Sequence, residues 1–415
     1  MALNFFPLDL TSRLQLAHQA AATLAMTPAS VRNHALEAMA QALIDHQDDI
    51  LEANTLDLET SREMAVPDLI LDWLKLTPER LQTAVELLVR LSILPDPTPH
   101  MVSIADSMNH CQAYAQLMPL GVIALVYEAL PALGAIAAGF CLRTGNSLIL
   151  RGGSEASHSN QMIVQTLQTA MEESGLPAGS LVLLPSDQGA SMRDLVAQEQ
   201  YLNLIIPYGR PSLVQQVVRQ STVPVLQSVI GNCYLYWSPT GSLDMSRSMI
   251  IDSHQSEPDA VNAIEKVLIH TSYSHSSLRT LLNSLQEKGY ELRGDESLVA
   301  ELPELDLAEV TEWSQPYLSK IIAFKVIDSL DAAIAWINQY SSGHANCLTT
   351  ESYQESRKFA LGVQSAFTYI NASPRFCRYS KHGDALALGM SNQRGYCRGM
   401  IGLGTLTTIK QVVQG

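Results

Sequence analysis

The sequence predicts an α/β protein with two or three domains, and three observations support this. The chain has 415 residues, of which 47% are hydrophobic and 16% charged, enough for large packed cores. From about residue 118, short apolar runs alternate with helix-like segments, which is typical of a mostly parallel sheet covered on both faces. The Pro-rich segment 95–100 separates this region from an N-terminal region of different character.

The first hundred residues are predicted to form helices. The segment "TPASVRNHALEAMAQALIDHQDDILEAN" has Thr27 as a candidate N-cap and Pro28 at the first helical position, followed by apolar residues at helical spacing. Thr77 and Pro78 repeat this arrangement in "TPERLQTAVELLVRLSIL". We therefore expect helices that begin at these two points.

The first alternation of strands and helices follows residue 118. The predicted strands are "MPLGVIALVY", "NSLILRGG", "SLVLLP" and "LNLIIP". The predicted helices are "LPALGAIAAGFCLRTG", which Gly145 closes, one from about 154 to 174, one near 190, and "PSLVQQVVRQS". A second α/β stretch begins near residue 240, with strands predicted at "KVLIH", "KIIAFKVI", "NCLTT" and "SAFTYIN".

Charge and cysteine content exclude several classes of function. A net charge of −15 argues against nucleic acid as the main partner, because binding to phosphates requires clustered Lys and Arg. The six cysteines are scattered without a CxxC pair, which favours free thiols in a reducing compartment. We see neither a signal peptide at the N-terminus nor an apolar run long enough for a membrane span. The sequence thus predicts a cytoplasmic protein.

Two segments of the first α/β stretch are candidate ligand sites. In "RTGNSLILRGGSE" a strand ends at Gly152 and Gly153 just before a helix, so that bare backbone can accept a phosphate. A tight strand-to-helix turn explains the same residues equally well. Glu128 ends a buried strand, where open α/β sheets bind ligands, but a carboxylate that stabilises the start of a helix is an equal alternative.

Two further groups carry reactive side chains. Cys233 lies in the apolar, strand-like run "TVPVLQSVIGNCYLYW", where a cysteine is usually a small core residue and only rarely a nucleophile. Asp252, His254 and Glu257 occur together in "DSHQSEP". They are candidates for acid–base work or metal binding, although a polar loop is the commoner explanation, and we predict no metal site.

Together, these segments resemble the γ-glutamyl phosphate reductase family of the aldehyde dehydrogenase superfamily. The motifs "PLGVIALVYEALP", "CLRTGNSLILRGGSE", "LIIPYG", "VPVLQSVIGNCYLYW", "EPDAVNAIEKVLIH", "SAFTYINASPRF" and "RGMIGLGTLTT" occur in the order that the family shows. The resemblance covers nearly the whole chain.

The resemblance implies an architecture and a reaction. It implies N-terminal helices and a Rossmann-like NADP domain over 1–238, a catalytic α/β domain over 239–385, and a C-terminal return over 386–415. A small oligomerisation element would include 105–117 and a C-terminal strand. In the family a cysteine thiolate attacks the acyl phosphate, phosphate leaves, and NADPH reduces the thioester, splitting one difficult step into two easier ones. Residues implied at the NADP site are Arg151, Gly152, Gly153, Glu155, Pro207 and Gly209.

The chain departs from the family pattern at positions that carry chemistry. Val261 occupies the place of the cysteine in the family segment "RPxxCNAxExLLVH", beside Asn262. Leu130 and Ala132 replace the arginine and asparagine of "YEARPN". Tyr208 and Arg210 change "PRGG" into "PYGR", and "HGDAL" (382–386) lacks a glutamate of the family's "GLGAE".

Three functions compete on these observations. The first is the family reaction, which would need another nucleophile such as Cys233. The second is a non-catalytic binding or scaffold subunit that associates with itself, with an active relative or with an unrelated protein. The third is a different reaction without covalent catalysis, with the 252–257 group as acid and base. Because valine cannot form a thioester, the chemistry favours the second.

Overall fold

The computed structural model describes residues 9–98, 101–103, 112–186, 191–256, 258–379, 385–394 and 397–414. They form two compact units. The first unit takes its described residues from Met1–Ser228, Arg378–Gly389 and Met400–Gly415. The second takes them from Val229–Cys377 and Met390–Gly399. In the sequence, the second unit is therefore inserted into the first in two segments.

Helices fill the N-terminal part of the first unit, as predicted. They are α1 (Leu10–Met26), α2 (Ala29–Asp45), α3 (Gln47–Glu63), α4 (Asp68–Leu74) and α5 (Pro78–Ile93). Thr77 caps α5 as expected, because its side chain accepts a hydrogen bond from the Arg80 amide at 3.3 Å. Thr27 does not cap α2: its hydroxyl donates to the Thr23 carbonyl of α1 at 2.9 Å, and Pro28 takes the cap position.

After α5, the strands and helices of the first unit alternate. They are β1 (Met101–Ser103), β2 (Gln112–Pro119), β3 (Val122–Tyr127), α6 (Pro131–Thr144), β4 (Ser147–Arg151), α7 (Ser157–Glu173), β5 (Leu181–Leu183), α8 (Met192–Val196), β6 (Leu204–Tyr208) and α9 (Pro211–Gln220). Four of these strands form a parallel sheet in the order β5-β4-β3-β6. β3 is buried along its whole length, as expected for a central parallel strand.

The second unit contains a larger parallel sheet. Its elements are β7 (Cys233–Trp237), α10 (Leu243–Ser253), β8 (Ile264–His270), α11 (His275–Gln286), β9 (Glu291–Gly294), α12 (Glu296–Glu301), β10 (Asp306–Leu307), β11 (Ile321–Ile327), α13 (Leu330–Tyr340), β12 (Ala345–Thr349), α14 (Tyr353–Gly362) and β13 (Phe367–Ile370). Within the described residues, seven strands pair in the order β10-β9-β11-β8-β7-β12-β13. The α/β fold class predicted from the alternation is thus confirmed.

The C-terminal part returns to the first unit. After the short strands β14 (Met390–Ser391) and β15 (Gly399–Met400), β16 (Thr407–Gln414) pairs antiparallel with β2 along its whole length. Together with β1 they form a separate sheet in the order β1-β2-β16. Residues 105–111 of the predicted oligomerisation element lie outside the described residues.

The boundary between the units differs from the predicted one. The sequence placed it at residue 238, after the apolar run that contains Cys233, whereas the structure places it at residue 228. The reason is that β7 pairs with β8 and β12, so it belongs to the sheet of the second unit. No described helix combines the length and the apolar character needed to cross a membrane.

Candidate functional site

Glu128 and Arg210 meet where the strand order of the first unit reverses. β3 continues to β4 on one side and has β6 on the other, so the carboxyl ends of β3 and β6 frame the crevice in which such sheets bind ligands. Glu128 directly follows β3, and Arg210 follows β6 after a single glycine. The sequence thus places the two side chains at one crevice.

The two side chains form a hydrogen-bonded ion pair. Nη2 of Arg210 donates to Oε1 of Glu128 at 2.9 Å, and the backbone N–H of Arg210 donates to Oε2 at 2.8 Å. Hydrogen bonding to Glu128 raises the pKa of Arg210. Because Arg210 is the N-cap of α9, the carboxylate occupies the N-terminal end of that helix, which favours negative charge.

Gly209 allows this close approach. Its φ of +152° strains any other L-residue, and a Cβ there would lie 2.7 Å from Oε2 of Glu128. Pro207, two residues earlier, is buried in β6, and its carbonyl accepts a hydrogen bond from the Ser228 hydroxyl at 2.7 Å. Pro207 and Gly209 thus shape the turn behind the carboxylate.

A cavity of about 460 Å³ opens at this crevice. That volume lies in the range typical of small-molecule sites. Arg210 and His158 line the cavity together with five of the residues predicted from the sequence. These five are Glu128, Arg151, Gly152, Gly153 and Glu155.

The Gly152–Gly153 turn is covered by a second carboxylate. Oε1 of Glu155 accepts a hydrogen bond from the Ala129 amide at 3.0 Å. A Cβ built on Gly153 would lie only 2.1 Å from the same oxygen. The bare backbone that could accept a phosphate therefore faces a glutamate of the chain itself.

Arg151 is the second cation of the cavity. Burial lowers the pKa of its guanidinium, and the charge of Asp194 acts in the opposite direction. Within the described part of the chain, the guanidinium of Arg151 makes no hydrogen bond and no ion pair within contact distance, in contrast to that of Arg210. It is the basic group best placed to receive an anionic ligand.

Asp57 anchors the start of α7 beside Arg151, a contact that sequence reasoning missed. The buried carboxylate accepts hydrogen bonds from the His158 amide at 3.0 Å, from the Ser159 amide at 2.8 Å and from the Ser159 hydroxyl at 2.6 Å. Nδ1 of His158 lies 2.8 Å from the same carboxylate, and this ring borders the cavity. The residues are a hundred positions apart, so no local motif signals the contact.

In the second unit, Val261 occupies a buried turn before β8. Its side chain is fully buried, and its amide donates to the Asp259 carbonyl at 2.9 Å. Its carbonyl accepts hydrogen bonds from the Gly231 amide at 2.9 Å and from Nε2 of His344 at 2.8 Å. Asn262, also buried, donates to the Pro374 carbonyl at 2.8 Å.

His344, which sequence analysis did not single out, is a neutral donor. Burial lowers its pKa to about 4, so the ring is uncharged at neutral pH. Because the Val261 carbonyl can only accept, Nε2 carries the proton, and Nδ1 accepts from the Ser342 hydroxyl 2.8 Å away.

Cys233 faces the protonated nitrogen of this ring. Its sulfur lies 3.4 Å from Nε2 of His344, and the side chain is fully buried in β7. Burial raises the pKa of the thiol well above its usual value, and the charge of Glu265 raises it further. No group in these contacts can accept the thiol proton, so the surroundings are those of a core cysteine.

Beneath Val261, β8 carries a buried pair of opposite charges. The Glu265 carboxylate accepts hydrogen bonds from the amides of Asn232, Tyr317 and Leu318, each at 2.9 Å. Lys266 lies 3.7 Å from it and donates to the Gln315 carbonyl at 3.2 Å. Burial lowers the pKa of Lys266 to about 8. These contacts fix the loops around β8.

Asp252 and His254, the two described members of the candidate group that also includes Glu257, have separate partners. Asp252 pairs with Arg375 at 3.4 Å, whereas Nδ1 of His254 lies 3.0 Å from the Ile250 carbonyl within α10. Burial lowers the pKa of His254, and Glu257 lies outside the described residues. Among the described side chains, no group of three or more His, Cys, Asp or Glu is arranged to hold a metal ion.

Comparison with known proteins identifies the family. The model of the aldehyde dehydrogenase family matches residues 8–230. Gamma-glutamyl phosphate reductase 2 of Synechocystis sp. is 52% identical over 92% of each chain, and the gamma-glutamyl phosphate reductase of Gloeobacter violaceus is 39% identical over 97% of this chain and 96% of its own. The crystal structure of the gamma-glutamyl phosphate reductase of Thermotoga maritima superposes with a TM-score of 0.88 at 31% identity, covering 98% of both chains. The chain therefore belongs to the γ-glutamyl phosphate reductase family, within the aldehyde dehydrogenase superfamily.

Proposed function

We propose that this chain is a non-catalytic member of its family that acts as a binding or scaffold subunit. The family reaction is the NADPH-dependent reduction of L-glutamate 5-phosphate to L-glutamate 5-semialdehyde in proline biosynthesis. The proposal rests on Val261, which takes the place of the nucleophile in the family segment that 257–270 resembles and lies on a turn whose carbonyl is held by Gly231 and His344.

The chemistry explains why this one position matters. The reaction needs a thiolate that attacks the acyl phosphate and then carries the acyl group as a thioester. Valine has no lone pair to donate. The change also leaves a fully buried apolar side chain at that position, which excludes a water molecule that could act in its place.

The alternative is an active reductase with Cys233 as the nucleophile. Its burial, its raised pKa and the protonated nitrogen of His344 opposite its sulfur all weigh against this. A catalytic thiol needs a base or a cation that stabilises the thiolate.

The residues at the cavity fit part of a nicotinamide cofactor, and NADP in particular. Arg151, with Ser154, Ser157 and His158 around it, would hold a phosphate ester of the nucleotide. Glu128 and Glu155 lie at the two turns where backbone amides would otherwise approach a pyrophosphate. We therefore expect weak NADP binding, and no step of a reaction is assigned to the cofactor.

Recognition of the acyl phosphate is also weakened. Leu130 stands in place of the family's arginine, and it is buried at the start of α6, where it offers no hydrogen bond to a phosphate or carboxylate. Losing a charged hydrogen bond of this kind costs about 1.5–3 kcal/mol of binding.

One assay tests the proposal directly. The purified protein is incubated with glutamate semialdehyde, phosphate and NADP, and NADPH formation is followed with a family reductase as a positive control. We expect no turnover above background in the wild-type chain or in Cys233→Ser. Turnover in the wild type that disappears in Cys233→Ser would establish the alternative, and turnover in both would point to a reaction without covalent catalysis.

A further inference from the structure

We propose that α14 and the arginines at its C-terminal end bind an acidic amphipathic helix of another protein. This rests on the proposed function, because it names the kind of partner that a binding or scaffold subunit would hold. The residues concerned all belong to the second unit, and we call them the α14 surface; they are Tyr353, Arg357, Leu361, Arg394 and Arg398.

The α14 surface lies in a part of the chain with a local excess of positive charge. Over 353–377 and 390–399 the second unit has five Lys and Arg residues and a single acidic residue, Glu355, whereas the whole chain has 26 and 41. A basic patch on a protein of net charge −15 favours a protein partner of opposite charge. The same net charge disfavours nucleic acid and anionic membranes, because both would meet the acidic remainder of the surface.

Three of the five cations have no acidic partner. Lys358 pairs with Asp331 at 2.6 Å, and Arg375 pairs with Asp252 at 3.4 Å. Among the residues that the structure describes, no carboxylate forms an ion pair with any of the remaining three, which are exposed; they are Arg357, Arg394 and Arg398. Their guanidinium groups can therefore meet carboxylates of a partner.

Gln364 brings two of these arginines together just beyond the end of α14. Nη2 of Arg394 donates to Oε1 of Gln364 at 2.9 Å, and the guanidinium of Arg398 donates to the Gln364 carbonyl. The C-terminal end of a helix favours cations, so both charges are well placed there. A guanidinium has five N–H donors, so each keeps donors that Gln364 does not use.

The exposed side of α14 adds apolar anchors beside the charges. Tyr353 and Leu361 are 76% and 79% exposed, and with Arg357 between them they lie four residues apart along one face of the helix. Phe359 is fully buried and holds the opposite side of α14 in the core. Ridges of residues four apart are those that pack against another helix, and Tyr and Arg are common anchors of interfaces. A helix with apolar residues flanked by Asp or Glu complements this face.

The test measures the binding of labelled peptides by fluorescence anisotropy at low salt. The acidic probe is an alanine-based helix peptide with leucine at every fourth position and glutamate on either side, and the matched basic probe has lysine in place of every glutamate. We expect the acidic probe to bind the wild type about tenfold or more tightly than the basic probe, and to bind more weakly as salt rises. Equal affinities, or no binding of either probe at about 1 mM, would overturn the proposal.

Variants locate the binding on the protein. The double variant Arg357→Gln, Arg394→Gln should weaken binding of the acidic probe about tenfold, since it removes several exposed charge pairs at once. Leu361→Ser should weaken binding at every salt concentration, because it removes an apolar anchor. Arg219→Gln is the matched control, since this arginine is exposed on α9 of the first unit, and it should leave the affinity unchanged. An equal loss in the control and the double variant would show that only net charge matters.

Competing anionic surfaces decide the class of partner. Duplex DNA and vesicles of anionic lipid are titrated under the same conditions, and both should bind more weakly than the acidic probe. Tighter binding of either, lost in the double variant, would assign the α14 surface to that class instead. Failure of the peptides to bind overturns this proposal alone, because the lack of turnover is measured separately in the NADPH-formation assay.

Discussion

At the scale of single residues, Val261 offers the sharpest test of the proposed lack of catalysis. Val261→Cys should leave reductase activity near background, because the groups that would position the acyl phosphate are also changed and such groups act as a unit. Activity is measured with glutamate semialdehyde, phosphate and NADP. Robust activity would mean that only the nucleophile had been lost.

The reactivity of the introduced thiol is a separate prediction. Val261 is fully buried, so a thiol introduced there is shielded from a reagent such as iodoacetamide. We expect it to be alkylated much more slowly than the exposed Cys377 in the folded protein. Mass spectrometry of alkylated peptides, with a urea-unfolded sample as the control, compares the two rates; equal rates would show that the turn opens readily.

From the burial of His344 we predict how the free energy of unfolding depends on pH. Its pKa is about 4 in the folded protein and about 6.5 in the unfolded chain, so between these values only the unfolded chain binds the proton. The stabilisation is complete above pH 6.5 and is lost as the pH falls towards 4, by about 3 kcal/mol in total. Urea unfolding of the wild type and of His344→Gln at several pH values measures the difference. A gap that does not change with pH would contradict the assignment.

For single residues, the sequence predicted a side-chain contact correctly where the two partners are close together along the chain. Thr77 caps its helix through Arg80, three positions away. It failed at Thr27, whose hydroxyl has an equally local alternative in the preceding helix. Arg210 was identified only as a bulky replacement for glycine, because its pairing with Glu128 depends on strand order.

At the scale of elements, Asp57 should contribute strongly to stability by joining α3 to α7. Asp57→Ala leaves buried donors of His158 and Ser159 without partners, so it should lower the free energy of unfolding by about 3 kcal/mol. Asp49→Ala is the matched control, since its pair with His46 is largely exposed and is worth less than about 1 kcal/mol. Urea unfolding measures both; equal effects would contradict the assignment.

From the exposed edge of strand β16 we predict that the protein self-associates. Ile409 and Val413 lie on one face of it with 61% and 60% of their surface exposed, and β16 is an edge strand of its three-stranded sheet in the described residues. Such edges pair with other strands. We expect a dimer or larger assembly in light scattering, which the double variant Ile409→Lys, Val413→Lys should convert to monomers.

Leu361→Lys is the control for that experiment. Leu361 lies on α14 of the second unit and is 79% exposed, so its replacement exchanges a similar apolar side chain for the same charge without altering β16. It should leave the mass unchanged. A wild-type mass of one chain at micromolar concentration would count against the prediction.

The elements themselves were largely predictable because their apolar patterns are strong. The strands β3, β4 and β6 are buried almost throughout, and the sequence shows them as continuous apolar runs. The segment after Thr27 was predicted as one helical run, whereas the structure ends α2 at Asp45 and begins α3 at Gln47. The break at His46 lies in a polar stretch where apolar spacing gives no signal. β9 and α12 were missed for a similar reason, since both are short.

At the scale of the whole molecule, the two units have their own cores, and their unfolding should not be a single two-state transition. The cavity is lined by residues of the first unit, so millimolar NADP should raise the melting temperature of one calorimetric transition and leave the other in place. Equal shifts of both transitions would show that the units unfold together.

The first unit can complete its folding only after the end of the chain has been synthesised. The Asn146 side chain accepts a hydrogen bond from the Gly121 amide at 2.8 Å and donates one to the Leu406 carbonyl at 2.8 Å, which bridges 260 positions of sequence. β2 likewise cannot pair with β16 until the end of the chain has been synthesised. Domains generally fold as they leave the ribosome, N-terminal first. Here the inserted second unit can be translated in full before the first unit obtains its last strand, so a ribosome stalled before residue 407 would hold an incomplete first unit beside a finished second one.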